Sequence, residues 1–140
     1  MDVVRIGPRN IKDQVFTYKR GKTRIDGTIG IPPALLASIA ACPLVGTDTY
    51  LVNAYGDPFT DGGFGNRFKK WCREAGVPEN CSLHGIRKAA AVRAAENGAT
   101  THQLMAMFAW ATVKQAEHYT KRAERRKLGL KGAQFLQKQT

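Results

Sequence analysis

His84 and Arg87 stand three residues apart in the segment Leu83-His84-Gly85-Ile86-Arg87-Lys88. On a helix that interval puts both side chains on one face, about a turn apart. There a guanidinium fork and an imidazole can share one phosphate. Alone, the pair is better explained as a capped helix start with a solvated arginine. Tyr119 shares a helical stripe with Ala116, Thr120 and Ala123, and Lys121, Arg122, Arg125, Arg126 and Lys127 follow it. A tyrosine on an apolar stripe is ordinarily core packing with its hydroxyl at the edge. The chemical alternative is a phenolic nucleophile, whose pKa near 10 demands nearby cations before it can attack. Trp110 precedes Tyr119 by nine residues and is either a buried plug or an indole N–H donor to an anionic oxygen. Lys22 lies within Lys19-Arg20-Gly21-Lys22-Thr23-Arg24. That basic loop is either solvated decoration or a finger for a groove of DNA, with a lysine able to protonate a leaving oxygen.

Other chemistries find less support. Cys81, His84, His102 and His118 suggest zinc, but structural zinc sites come as two closely spaced ligand pairs and only one such pair exists here. No metal and no cofactor are expected. There is no phosphate-cradling P-loop, no G-x-S-x-G elbow and no cluster of paired carboxylates. Gly62, Gly63 and Gly65 fall in what reads as a loop over 56–65, without the strand–turn–helix context of a dinucleotide site. The three cysteines are odd in number and scattered. A disulfide framework is therefore not expected, and a reducing, cytoplasmic location is.

The elements that must position these residues form a short β part followed by a helical part. Gln14–Lys19 and Thr28–Ile31 are rich in β-formers and are separated by the polar segment 20–27, so they predict a hairpin, with Val3–Ile6 as a third strand. Pro32 and Pro33 open a helix over Ala34–Ala41, and Pro43 ends it. Thr49–Asn53 has the composition of an edge strand. Phe64, Phe68, Trp71, Cys72 and Ala75 recur at helical spacing, with Gly76 as the stop. Ser82 caps a helix running to about Asn97. Thr100-x-x-Gln103 and Thr112-x-x-Gln115 predict two capping boxes, opening helices over Thr101–Phe108 and from Val113 to about Lys127. A last short helix is expected around Ala133–Leu136. The expected class is α+β, mainly helical with a small antiparallel sheet.

With 140 residues, the chain fits one domain that buries a core without staples. No apolar window is long enough to span a membrane, and no charged-then-apolar pattern opens the sequence, so neither secretion nor membrane insertion is expected. Lys plus Arg total 22 against 11 acids, a net charge of +11. The surplus is uneven, with 7 basic and 5 acidic residues over 1–60 against 15 and 6 over 61–140. Such a surplus on one half points to a polyanion as partner, nucleic acid ahead of acidic lipid. On the hairpin, Lys19, Arg20, Lys22 and Arg24 are the expected DNA contacts, with Lys88, Lys121 and Arg122 near the helices.

Taken in order, these residues resemble the catalytic domain of the tyrosine recombinase (phage integrase) family. GKTRIDGTIGIP corresponds to the family's hairpin lysine segment, LHGIRKAA to its H-x-x-R box, and FAWATVKQAEHYTK to its His-or-Trp and tyrosine positions. The resemblance runs from Val3 to about Lys127. It implies the DNA breaking-rejoining fold and strand cleavage through a 3′-phosphotyrosine. Tyr119 would be the nucleophile, Arg87 the phosphate clamp, His84 an acid/base or hydrogen-bond partner, Trp110 a support for the oxygen, and Lys22 the proton donor. Double-stranded DNA is the implied partner, with a homo-oligomer on DNA compatible and the nucleoid as its place when bound. The family's first arginine falls ahead of Met1, and Ala109 stands where a glycine is usual. The expectation is one partial catalytic domain, divided as 1–60, 61–128 and a tail over 129–140, that binds DNA and cleaves it weakly. A catalytically silent DNA-binding remnant and a basic RNA-binding protein are the other readings.

Overall fold

The computed structural model describes residues 2–136, and its order is a small sheet first and helices after. The sheet has three antiparallel strands in the order β1 (Ile11–Lys12), β2 (Val15–Lys19) and β3 (Asp26–Gly30). Phe16 pairs with Ile11 on one side and Ile29 on the other. The third strand is therefore not Val3–Ile6, where Asp2–Arg5 instead forms a 3-10 helix. Its true position depends on a two-residue turn at Asp13 and Gln14, both at positive φ (51° and 60°). That geometry joins tightly twisted strands, but neither residue is the glycine or asparagine that would announce it. Thr49–Asn53 contributes only an isolated bridge, Val52 to Pro58.

The helices are α1 (Pro33–Ala41), α2 (Asp61–Glu74), α3 (Leu83–Glu96), α4 (Thr101–Phe108) and α5 (Val113–Gly132), followed by a 3-10 turn over Ala133–Leu136. α2 begins inside the segment that the glycines suggested was loop. The Thr60 hydroxyl accepts the Gly63 N–H at 3.1 Å, and that cap outweighs the poor helix propensity of Gly62, Gly63 and Gly65 in the first turns. α4 carries the full capping box, Thr100 and Gln103 exchanging bonds at 3.2 and 2.7 Å. The second expected box fails. Thr112 makes no side-chain cap bond, and only its backbone carbonyl accepts the Gln115 N–H. α5 also continues past Lys127, because the segment Leu128–Gly132 lacks a proline stop. The end of the expected tail, residues 137–140, lies outside the described residues.

The core sits where α3, α4 and α5 meet and comprises Ala91, Ala95, Leu104, Phe108, Trp110, Ala116 and Ala123. Four of these seven are alanines, so the helices approach closely and the bulk comes from α4 and its exit. The Tyr18 hydroxyl ties the sheet to this core by donating to the Met107 carbonyl at 3.1 Å. Gly27 makes room for Tyr18 across the strand pair, since a Cβ there would lie 2.3 Å from the tyrosine ring. None of α1's residues is buried. Among the described residues, no helix is long and apolar enough to cross a membrane.

Candidate active site

Two helix starts and one helix exit converge beside the core. The Ser82 hydroxyl accepts the Gly85 N–H at 3.0 Å and starts α3, so that His84 is exposed and Arg87 half-buried on the first turns. The Arg87 guanidinium donates through Nη2 to the Phe108 carbonyl and lies 5.2 Å from the centre of the Phe108 ring. A cation at the carbonyl end of α4 also complements that helix's dipole. The carbonyl bond and the ring together fix the plane of the fork.

α4 ends at Ala109, which is fully buried and left-handed, with φ 48° and ψ 47°. This step sends the Trp110 N–H back to the Met105 carbonyl at 3.1 Å. It also lays the indole between Phe108 (5.0 Å, 21°) and Tyr119 (5.1 Å, 11°). The glycine-for-alanine question at this position is therefore a backbone question, since left-handed φ is what a glycine accepts most easily. Tyr119 is half-buried on the first turns of α5, with the His118 ring edge-on to it at 5.2 Å.

His84, Arg87, Trp110 and Tyr119 line one cleft of about 290 Å³, and Arg20, Lys88, Gln115 and His118 complete its wall. Among the described residues, no acidic side chain lines it. A second recess of about 250 Å³ opens on the other side of Tyr119, between Lys88, His118, Arg122 and Glu96. Glu96 faces Arg126 there at 3.5 Å.

The hairpin places its cations differently from the sequence reading. The Arg20 N–H bonds to the Ile25 carbonyl at 3.0 Å, and the Arg24 N–H to the Arg20 carbonyl at 2.7 Å with Arg24 at φ 54°. This closes the loop above Arg20, which is half-buried at its base. Lys22 is exposed at the tip and does not line the cleft. Arg24 is exposed on the same tip. Lys19 belongs to a separate recess of about 190 Å³ with Arg5, Arg9 and Tyr18. Lys121 is paired with Glu117 at 2.9 Å.

The sequence suggested Arg20 only as a contact to DNA phosphates, Gln115 only as a cap partner, and His118 only as a zinc ligand. Adjacency to Tyr119 was the available signal for His118. For Arg20 no local signal existed, because its direction depends on how the loop closes. No group of three or more His, Cys, Asp or Glu side chains that could hold a metal occurs among the described residues.

A cleft that gathers a tyrosine, two arginines and two histidines beside a three-stranded sheet is suited to phosphoryl chemistry. The model of the phage integrase family matches residues 4–126, and the chain belongs to that family. Among solved structures it is similar to XerA recombinase, with a TM-score of 0.70 and 13% identity over 92% of this chain and 50% of that one. The integrase of transposon Tn1549, in complex with transposon right end DNA, gives 0.69 and 11% over 91% and 54%. XerH site-specific recombinase bound to palindromic difH substrate gives 0.62 and 14% over 91% and 39%. At such identities the likeness is one of fold. The chain spans about half the length, or less, of these solved chains. None of the curated proteins matches it.

Proposed function

We propose that this chain carries out the strand-cleaving chemistry of a site-specific DNA recombinase, by a tyrosine nucleophile and without nucleotide hydrolysis. The Tyr119 hydroxyl gives up its proton as its oxygen attacks the scissile phosphorus. The 5′-oxygen leaves and takes a proton, and the strand remains attached as a 3′-phosphotyrosine. Rejoining reverses these bonds, so the ester energy is conserved and no ATP is needed. The single observation that carries this reading is that Arg87, Arg20, His84 and Tyr119 line one cleft with no acid in its wall among the described residues. Fixed donors of this kind stabilise the charge that grows on the non-bridging oxygens.

Arg87 and Arg20 supply the two guanidiniums in this scheme, and His84 exchanges a proton or hydrogen-bonds the phosphate. Trp110 holds the Tyr119 ring by stacking, and Lys22 donates to the leaving oxygen when bound DNA draws the hairpin tip inward. DNA as the partner is supported by the cationic wall and by the DNA present with the Tn1549 and XerH neighbours. A second reading, binding without cleavage, draws support from Arg87. Part of its fork is already engaged by the Phe108 carbonyl and must be shared or released for a phosphate.

The test is covalent trapping on a pool of nicked duplexes of randomised sequence, from which the cleaved fragment diffuses away. A protein–DNA adduct that disappears in Tyr119→Phe is the expected result. Binding with no adduct in either protein would establish the second reading. An adduct that survives Tyr119→Phe would exclude Tyr119 as nucleophile.

A further inference from the structure

Outside the site, a cleft of about 430 Å³ lies between α2 and the connector to α3, with two of the three cysteines in its wall. Asn66, Lys69, Cys72 and Arg73 reach it from one face of α2 at helical spacing, and Val77, Pro78, Glu79 and Cys81 from the connector. The connector is folded back to make this possible. Gly76 takes φ 67°, the Val77 N–H bonds to the Cys72 carbonyl at 2.8 Å, and the Cys81 N–H bonds to the Pro78 carbonyl at 3.0 Å. Two free cysteines therefore line one cleft, one exposed (Cys81) and one half-buried (Cys72), and two cations and one acid line it with them. Cys42 lies elsewhere, after α1, with its thiol directed to the Leu44 carbonyl.

We propose that Cys72 and Cys81 form a reversible thiol site for small acidic disulfides, which convert the pair into an internal disulfide. Lys69 and Arg73 attract the carboxylates of the incoming molecule. The accessible Cys81 sulfur attacks first, forms a mixed disulfide and releases one small thiol. Cys72 then attacks the Cys81 sulfur and releases the second. Two protein thiols are oxidised and one small disulfide is reduced to two thiols, so protons and electrons balance. A disulfide needs Cα atoms about 4.4–6.8 Å apart, so the proposed oxidation requires the turn over Pro78–Cys81 to close onto Cys72. The consequence is mechanical. Cys81 immediately precedes Ser82, the cap of the helix that carries His84 and Arg87, so oxidation fastens the start of α3 onto the end of α2. The inference does not depend on the proposed DNA chemistry, because it is read by mass.

The experiment uses the full chain with Cys42→Ser, so that only this pair can react, and oxidised glutathione as the probe. Trypsin cuts after Lys70, Arg73 and Arg87, which separates Cys72 from Cys81 into two peptides. Oxidation should lower the intact mass by about two units and join those peptides by a bond that reductant removes. Replacing Lys69 and Arg73 by glutamine removes the cut between the two cysteines, so that variant is followed by intact mass; its oxidation should be several-fold slower with oxidised glutathione and unslowed with the cationic disulfide cystamine. Stable glutathione adducts without the joined peptides, or disulfides only between molecules, would overturn the pairing. Equal slowing with both reagents would overturn the cationic attraction.

Discussion

Arg87 is held in two ways, and the two make different demands on a substitute. Its hydrogen bond to the Phe108 carbonyl needs a donor, while its stacking on the Phe108 ring needs a plane. Lysine offers a donor without the plane. Arg87→Lys should therefore lower the rate of Tyr119 adduct formation by about 10²–10³, the usual loss for one transition-state donor, while unfolding stability falls by only about 1 kcal/mol. Arg20→Ala should leave stability unchanged, since alanine retains both backbone bonds that close the hairpin loop. Its adduct rate should still fall by a factor of about 10². Single-turnover trapping with parallel thermal melts checks both. An Arg20→Ala protein that cleaves at the parent rate would remove Arg20 from the site. The contrast between these residues also marks what the sequence can say. His84, Arg87, Trp110 and Tyr119 lie on or beside helices, where spacing dictates direction. Arg20 and Lys22 lie on a loop closed by a left-handed Arg24, and nothing in its composition distinguishes the residue facing the cleft from the one facing solvent.

The exit of α4 helps build the cleft, because Trp110, just beyond it, meets both Phe108 and Tyr119. Ala109 makes that turn in a left-handed conformation, which costs a residue with a Cβ about 1–2 kcal/mol. Glycine would relieve that cost but lose a buried methyl and add freedom to the unfolded chain, each about 0.5–1 kcal/mol. Ala109→Gly is thus expected to change stability by no more than about 0.5 kcal/mol, by near-cancellation of these terms. Ala91→Gly, equally buried but in the interior of α3, has no strain to relieve and should cost about 1–2 kcal/mol. Denaturant titration of the two variants decides the matter, and equal losses would contradict the strain argument. Among the elements, α3 and α4 were legible from a hydroxyl cap, and the start of α5 from its helical stripe alone, since Thr112 makes no side-chain cap bond. The short strand Ile11–Lys12 was not, because its turn uses Asp13 and Gln14 at positive φ. The early start of α2 was hidden by three glycines, whose low propensity the Thr60 cap overrides.

At the scale of the whole molecule, the net charge of +11 becomes informative only once its placement is known. Arg20 and Lys88 line the cleft at Tyr119, Arg122 with Lys88 lines the recess beyond it, and Lys22 and Arg24 project from the hairpin above. Three of these five cations line spaces that Tyr119 also lines, and two stand exposed on the hairpin, whereas Lys121 is shared with Glu117 and Lys19 is turned into another recess. If the five pair with phosphates, each displaces condensed counterions. The slope of log affinity against log salt should then be near −4 to −5. Placement also separates roles. Lys22→Gln together with Arg24→Gln should flatten the slope by about two and weaken all duplexes alike, since phosphate contacts carry no sequence information. Lys121→Gln should change the slope by much less, because Glu117 already neutralises that charge. Fluorescence anisotropy at several salt concentrations gives all three slopes. A parent slope near zero would mean that the cationic wall does not meet a polyanion. An unchanged slope in the hairpin variant would mean that DNA approaches the tyrosine without passing under the hairpin.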